Sequence, residues 1–208
     1  MRKEAKTMRN LLKRISALLL CLLLVLSLPV AALAEEAQDS EEGTTLRIAR
    51  RQQFLDFAEN CRLDSYSRNL SVVLLTDIDL TGVDFSGIPI FCGNFDGNGH
   101  TVSGLSITRD GSNMGLFRYV DASAVIQNLT VSGAVTPDGS RSAVGGIAGH
   151  NAGKIQNCFF DGTVSGSDDV GGIAGITSRE VTFTQCANTG HISNDTTAVL
   201  SSGEKPKG

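Results

Sequence analysis

Apolar and polar positions repeat along residues 101–192 at a spacing far longer than a helical turn. Four segments align without a gap: TVSGLSI (101–107), VIQNLTV (125–131), KIQNCFF (154–160) and TFTQCAN (182–188). Their apolar positions predict three columns of stacked side chains. The first column contains Val102, Ile126, Ile155 and Phe183, the second Leu105, Leu129, Cys158 and Cys186, and the third Ile107, Val131, Phe160 and Asn188.

The length of this repeat indicates an architecture. The aligned Leu or Cys positions are 24, 29 and 28 residues apart, and the short β-branched patches do not follow helical spacing. One such unit cannot bury its own apolar side, whereas stacked units can. Coils stacked about 4.8 Å apart place each residue on its counterpart. The sequence therefore predicts an all-β fold, a parallel β-helix over residues 45–192.

A glycine-rich phrase recurs between the aligned segments. GGIAG occupies residues 145–149 and 171–175, and MGLF (114–117) is its earlier counterpart. We expect Ile147 and Ile173 to point inward, with the glycines permitting the bends around them or supplying positive φ angles.

A cysteine follows each copy of that phrase. Cys158 and Cys186 align with leucines, so we expect both to be buried as small apolar residues. Neighbouring coils would also bring the two sulfurs within reach of a disulfide in an oxidising compartment. The sequence leaves both states open.

The N-terminal side of the repeat region predicts one helix. Residues 50–62 (RRQQFLDFAENCR) place Phe54, Phe57, Ala58 and Cys61 at the i, i+3, i+4, i+7 spacing of an amphipathic helix. An apolar strand is expected within residues 69–80. Because the end of a solenoid exposes unpaired backbone groups, we expect the helix to lie across the first coil as a short cap.

Residues 1–34 have the three parts of a secretory signal peptide. A basic start precedes an uncharged apolar run, Ile15 to Val30, and an Ala32-Leu33-Ala34 cleavage site follows. The run is short for a membrane span, which needs about 20 residues, although an uncleaved anchor and a lipoprotein are the alternatives. Residues 35–44 read as a flexible acidic leader. Residues 193–208 read as a polar tail that is either disordered or a truncated continuation.

The charge of the exported part narrows the choice of partners. Of 18 Lys and Arg and 22 Asp and Glu residues, six and one lie in residues 1–34, which leaves a net charge of −9. This argues against nucleic acid and against an anionic membrane surface. The whole chain contains two Tyr and no Trp, so an aromatic platform for sugar rings is not expected.

These phrases resemble a known family. GGIAG followed by N-x-G-x-I-x-N-C (145–158) resembles the GLUG repeat of bacterial exported proteins, and residues 75–133 resemble the region that precedes such repeats. The resemblance implies a right-handed β-helix at the outside of the cell, of a kind found in surface proteins and beside immunoglobulin A peptidase domains. Arg118 departs from the pattern, since it follows MGLF (114–117) where the final glycine of the phrase is expected. The family brings no catalytic residues.

Candidate catalytic carboxylates are few. Polysaccharide cleavage needs two carboxylates that face one groove, but Asp161 aligns with Ser132 and Thr189, so no acidic column forms there. Asp168 and Asp169 are adjacent in what reads as a solvated turn. Enzymatic activity on this stretch would rest on analogy of fold alone.

Candidate metal ligands have a simpler explanation in turns. Asp77, Asp79 and Asp84, or Asp96 with Asn98, lack the spacing and the closing glutamate of a calcium loop, and Asp, Asn and Gly favour tight turns. The histidines His100, His150 and His191 occupy different phases of the repeat and form no zinc motif. The sequence therefore assigns no catalytic, cofactor-binding or metal-binding residue and implies no cofactor.

Two functions fit these patterns. The first is an exported, non-enzymatic surface module, adhesive or a spacer, that binds an extracellular glycan or a host protein and meets a membrane only through an uncleaved signal peptide. The alternative is the N-terminal portion of a larger carbohydrate-active enzyme or peptidase. Either function predicts a secreted or cell-surface location.

Overall fold

The computed structural model describes residues 44–139, 142–178 and 181–194. One helix, α1 (Arg51–Asn60), and sixteen strands are found there. The strands are β1 (Thr45–Ile48), β2 (Ser71–Leu74), β3 (Ile78–Asp79), β4 (Ile88–Phe91), β5 (Asn94–Asp96), β6 (Thr101–Ile107), β7 (Phe117–Val120), β8 (Val125–Val135), β9 (Ser142–Gly145), β10 (Ala148–Asn151), β11 (Lys154–Gly166), β12 (Asp168–Gly171), β13 (Ala174–Thr177), β14 (Phe183–Thr184), β15 (Ala187–Asn188) and β16 (His191–Asn194).

The strands wind into a parallel β-solenoid of about 5 turns, which confirms the predicted fold class. The largest sheet runs β1-β2-β5-β8-β11-β14, and β3, β6, β15 and β16 join it through β8 and β11. A second sheet has the order β13-β10-β7-β4, and β12 pairs with β9. The predicted signal peptide (1–34), most of the leader (35–44) and most of the tail (193–208) lie outside the described residues.

The core is a set of columns along the solenoid axis. Alternate residues of each strand point inward, and in-register pairing puts them on their counterparts in the next coil. One column contains Val72, Phe95, Ile126, Ile155 and Phe183. The first four of these are buried, whereas Phe183, in the last described coil, is 42% exposed.

The predicted alignment is confirmed for the segments at 125–131, 154–160 and 182–188 and is wrong for the segment at 101–107. Ile126, Ile155 and Phe183 are partners, as predicted. Val102, however, pairs with Val131 and Ile107 with Val135, while Phe95 takes the place expected for Val102. By apolar character, Val102 fits over either Ile126 or Val131 in the next coil. The turn at residues 97–100 lengthens the earlier coil and so selects the pairing with Val131.

The glycines of GGIAG, expected to permit bends around the isoleucines, allow close packing of the chain on its neighbours. Neither Gly145 nor Gly146 has a positive φ. A Cβ added at Gly146 would overlap the ring of Phe160, and one added at Gly145 would overlap the carbonyl oxygen of Ala148. Only glycine lets the chain pass this close to its neighbours. Ile147 is buried, as predicted.

Helix α1 supplies aromatic side chains to the first coils. Phe54 and Phe57 are buried, and the Phe57 ring lies 6.0 Å from those of both Phe91 and Phe95. The Gln53 side chain accepts a hydrogen bond from the Ala49 backbone N–H at 2.9 Å, which ties the helix to the residue just before its N-cap, Arg50. The predicted helix is therefore present and packs on the solenoid.

Candidate binding face

The outer side of the largest sheet carries two rows of mostly polar side chains, here called the polar face. One row contains Arg47, Val73, Asp96, Gln127, Gln156 and Thr184, and the other contains Thr45, Ser71, Asn94, Val125 and Lys154. These residues alternate with the inward-pointing apolar residues of the same strands, so the fold repeats hydrogen-bonding groups at the spacing of neighbouring strands, about 4.8 Å.

A shallow groove of about 400 Å³ crosses this face between β2 and β8. Its lining residues are Ser71, Val72, Val73, Asn94, Asp96, Val125 and Gln127. Asp96 is the only carboxylate among them, so the groove lacks the paired acids of a glycosidase. Its hydroxyl, amide and carboxylate groups can donate and accept hydrogen bonds.

Protein donors hold Asp96 in place. Its Oδ1 accepts hydrogen bonds from the Asn98 N–H at 2.7 Å and from Asn128 Nδ2 at 3.0 Å, and its Oδ2 accepts one from Gln127 Nε2 at 3.0 Å. Burial alone would raise the pKa of Asp96, but these three donors outweigh it and lower that pKa. The groove therefore contains a fixed negative charge at neutral pH.

A column of amides stands at the corner beside the groove. Asn128 and Asn157 both have left-handed backbones, with φ of 53° and 48°, and Gln185 repeats this with 53°. Asn157 Nδ2 donates to Asn128 Oδ1 at 2.9 Å, as Asn128 does to Asp96. The sequence signal was the recurring Gln-Asn pair, because asparagine tolerates this conformation better than most residues.

The acidic residues considered as calcium ligands are dispersed among separate protein partners. Asp77 Oδ1 lies 3.1 Å from His100 Nδ1, and Asp84 Oδ2 accepts from Arg109 Nη2 at 2.7 Å. Asp79 Oδ1 accepts from the N–H two residues later, and Asp96 does the same in the turn with Asn98. Within the described ranges, no three His, Cys, Asp or Glu side chains form a group that would hold a metal ion.

The carboxylates considered for cleavage do not converge. Asp161 pairs in register with Ser132, as predicted, and accepts a hydrogen bond from Thr189 Oγ1 at 3.3 Å. Asp168 and Asp169 lie in β12, not in the turn expected for them, and both are exposed. The turn was expected because adjacent acids favour loops, but pairing of β12 with β9 extends the chain there.

The other two histidines lie apart from the polar face. His150, in β10, packs on Tyr119 of β7 with ring centroids 5.0 Å apart. His150 and Tyr119 form, together with Ile90 and Ile176, a half-buried stripe across β4, β7, β10 and β13. His191 is exposed at the start of β16.

A second depression, of about 290 Å³, lies between α1 and residues 83–89. Two ion pairs stand at its rim, Arg62 with Glu59 at 2.8 Å and Arg109 with Asp84 at 2.7 Å. Each charged side chain there is paired with one of opposite charge. This depression is therefore a weaker candidate site for a charged ligand than the groove of the polar face.

Comparison with known proteins confirms the family resemblance. The family model of the GLUG motif matches residues 140–165, which contain the first GGIAG phrase and all of β11 except its last residue. The chain is therefore a parallel β-solenoid that carries a GLUG motif.

Two relatives extend the resemblance beyond the motif. Halomucin from Haloquadratum walsbyi is 37% identical over 144 residues, which is 64% of this chain and 2% of halomucin. A putative Gly-rich membrane protein from Evansella cellulosilytica is 34% identical over 96 residues, which is 40% of this chain and 11% of that protein. The chain thus spans a small fraction of either relative's length.

No solved structure matches the chain. In the described part of the chain, no helix has the length and apolar character needed to cross a membrane.

Proposed function

We propose that the chain is a non-enzymatic extracellular surface module that binds a glycan along its polar face. The observation that carries this proposal is the groove in that face. Ser71, Asn94, Asp96 and Gln127 line it with hydroxyl, amide and carboxylate groups. Sugar hydroxyls both donate and accept hydrogen bonds, and these groups match them.

The charges around the groove favour a glycan without strong net charge. Asp96 supplies one negative charge, and Arg47 and Lys154 lie farther along the same two rows. A strongly anionic polymer would meet the Asp96 carboxylate and the −9 charge of the exported part. A neutral chain of sugars can lie across several strands and exchange water for the repeated amides.

Export is part of the proposal. The pattern of residues 1–34 supports it, and the name of the Evansella relative, a putative membrane protein, is compatible with a location at the cell surface. An adhesive role and a role as spacer share this location and differ in whether the groove has a ligand.

The test is binding of the purified protein to an array of neutral and acidic glycans, followed by calorimetry on each hit. We expect Asn94→Ala and Gln156→Ala to weaken binding about tenfold or more, since each removes a hydrogen-bonding group of about 1.5 kcal/mol. Gln52→Ala is the matched control, because it removes an amide from helix α1, away from the face.

Three results would count against the proposal. Absence of any glycan ligand would favour the spacer role or a host protein as partner. Loss of binding with Tyr119→Ala but not with Asn94→Ala would place the site on the stripe that contains His150. Turnover of a polysaccharide, abolished by Asp161→Ala or Asp168→Ala, would contradict the non-enzymatic assignment.

A second candidate is that this stretch forms the N-terminal portion of a larger carbohydrate-active enzyme or peptidase. The small share of each relative that the chain covers, 2% and 11%, favours a module within longer proteins. Intact mass of the native protein, measured separately from the culture medium and from the cell wall, tests it. A longer species that includes a catalytic domain would support this candidate, whereas a species ending at Gly208 would oppose it.

A further inference from the structure

Two cysteines occupy the same position in adjacent coils. The residues on both sides of Cys158 and Cys186 are in register, Gln156 with Thr184 and Phe159 with Ala187. Their thiols make equivalent contacts: Cys186 Sγ lies 3.4 Å from the Ile155 oxygen, and Cys158 Sγ lies 3.7 Å from the Ile126 oxygen, one strand earlier. Both thiols are free in the structure.

This placement suits a covalent bond across the coils. Strands in one sheet lie about 4.8 Å apart, and disulfides join Cα atoms that are 4.4–6.8 Å apart. Because a disulfide also needs Cβ atoms about 3.5–4.5 Å apart, both side chains must turn away from the carbonyl oxygens that they now contact and the two strands must approach each other slightly. No change of register is required.

The two thiols differ in access to solvent. Cys158 is buried, whereas Cys186, in the last described coil, is only half-buried. Burial raises the pKa of the Cys158 thiol to about 12, so it is a poor nucleophile towards reagents in solution. Cys186 is therefore the point of entry for an external oxidant. The other two described cysteines, Cys61 and Cys92, are both buried near α1 and β4.

We propose that Cys158 and Cys186 are a modification site, oxidised by a small-molecule disulfide to a bond that fastens the last described coil to the one before it. The Cys186 thiolate attacks the external disulfide, forms a mixed disulfide and releases one thiolate. Cys158 then loses its proton to water and attacks the Cys186 sulfur, which displaces the second half of the reagent as a thiolate. The two cysteines lose two electrons and two protons, and the reagent is reduced to two thiols.

The bond would act where the solenoid has the least support. Phe183 and Ile192, at core positions of the same coil, are 42% and 43% exposed. The bond would close a loop from residue 158 to residue 186, and such a constraint removes conformational freedom from the unfolded chain. The expected consequence is a higher melting temperature for the oxidised protein, on the order of 10 °C.

The test treats the reduced, folded protein with oxidised glutathione and follows intact mass, peptide mapping and melting temperature. We expect loss of the mass of two hydrogen atoms, one cross-linked peptide pair that contains Cys158 and Cys186, and a rise in the melting temperature that dithiothreitol reverses. C186S should take up no glutathione under native conditions. C158S should stop at the mixed disulfide on Cys186.

Other outcomes would overturn the proposal. These are a wild-type product that keeps one glutathione on Cys186, a cross-link that involves Cys61 or Cys92, or a cross-link that appears only in urea. The double variant C61S/C92S keeps the test interpretable, because its cross-link can form only between the proposed partners among the described cysteines. An unchanged melting temperature after cross-linking would contradict the proposed fastening of the coil.

Discussion

Replacing Ile155 by alanine tests the column packing on which the fold depends. Ile155 is fully buried between Ile126 and Phe183 in the column of the largest sheet. The change removes three carbons, worth about 0.8 kcal/mol each in transfer free energy, and leaves a cavity between coils that cannot collapse easily. We expect the free energy of unfolding to fall by about 3–4 kcal/mol.

Ile192→Ala is the matched control for that substitution. Ile192 pairs with Val164 at another core position, but it is 43% exposed in the last described coil. The same three carbons are there only partly removed from water, and no closed cavity remains. The expected loss is about 1 kcal/mol. Urea unfolding followed by circular dichroism measures both losses. Equal losses, within about 0.5 kcal/mol, would refute the assignment of Ile155 to the interior.

Three further predictions concern other parts of the fold. Gly146→Ala should destabilise the protein by about 2 kcal/mol, because the added Cβ meets the ring of Phe160. Gly99→Ala lies in open space with a φ of +78° and should cost about 1 kcal/mol from backbone strain alone. Thermal melts compare the two variants, and a larger loss at Gly99 would contradict the packing argument. Phe57→Ala should cost about 3–5 kcal/mol in urea unfolding, since it empties the contact between helix and solenoid, and a loss below 1 kcal/mol would mean that the helix is not a structural cap. Hydrogen bonds lower the folded-state pKa of Asp96 below its unfolded value near 4. The stability that Asp96 gives the fold is therefore complete above about pH 4 and is lost as pH falls through the folded pKa. Urea midpoints measured from pH 5 to 2 should fall less steeply in Asp96→Asn than in the wild type, and identical slopes would show that the carboxylate contributes nothing.

Sequence reasoning could recover the repeat because the period is read from apolar columns. In residues 125–192 each coil has nearly the same length, so the register of Ile126, Ile155 and Phe183 follows directly from alignment. The amphipathic pattern of residues 50–62 likewise predicted the helix. Both signals are local or strictly periodic, and burial in the folded chain agrees with them.

The register of the earlier coil could not be obtained in this way. Val102 fits over Ile126 or over Val131 equally well by apolar character, and the pairing with Val131 depends on a turn that lengthens that coil. The polar face was also not defined in advance. Residues such as Asn94 and Gln156 become neighbours of one surface only when the coils are stacked, and neither has a sequence pattern that sets it apart from a solvent-exposed side chain.

The amide column beside the groove has a direction that starts at a charge. A carboxylate can only accept hydrogen bonds, so Asp96 obliges Asn128 to present its NH₂ group. The Asn128 carbonyl then faces the next coil and obliges Asn157 to do the same. One ionised group thereby orients side-chain dipoles in two later coils. Protonating Asp96 would remove that constraint and let the Asn128 and Asn157 amides reverse, which makes this part of the surface pattern of donors and acceptors dependent on a single proton.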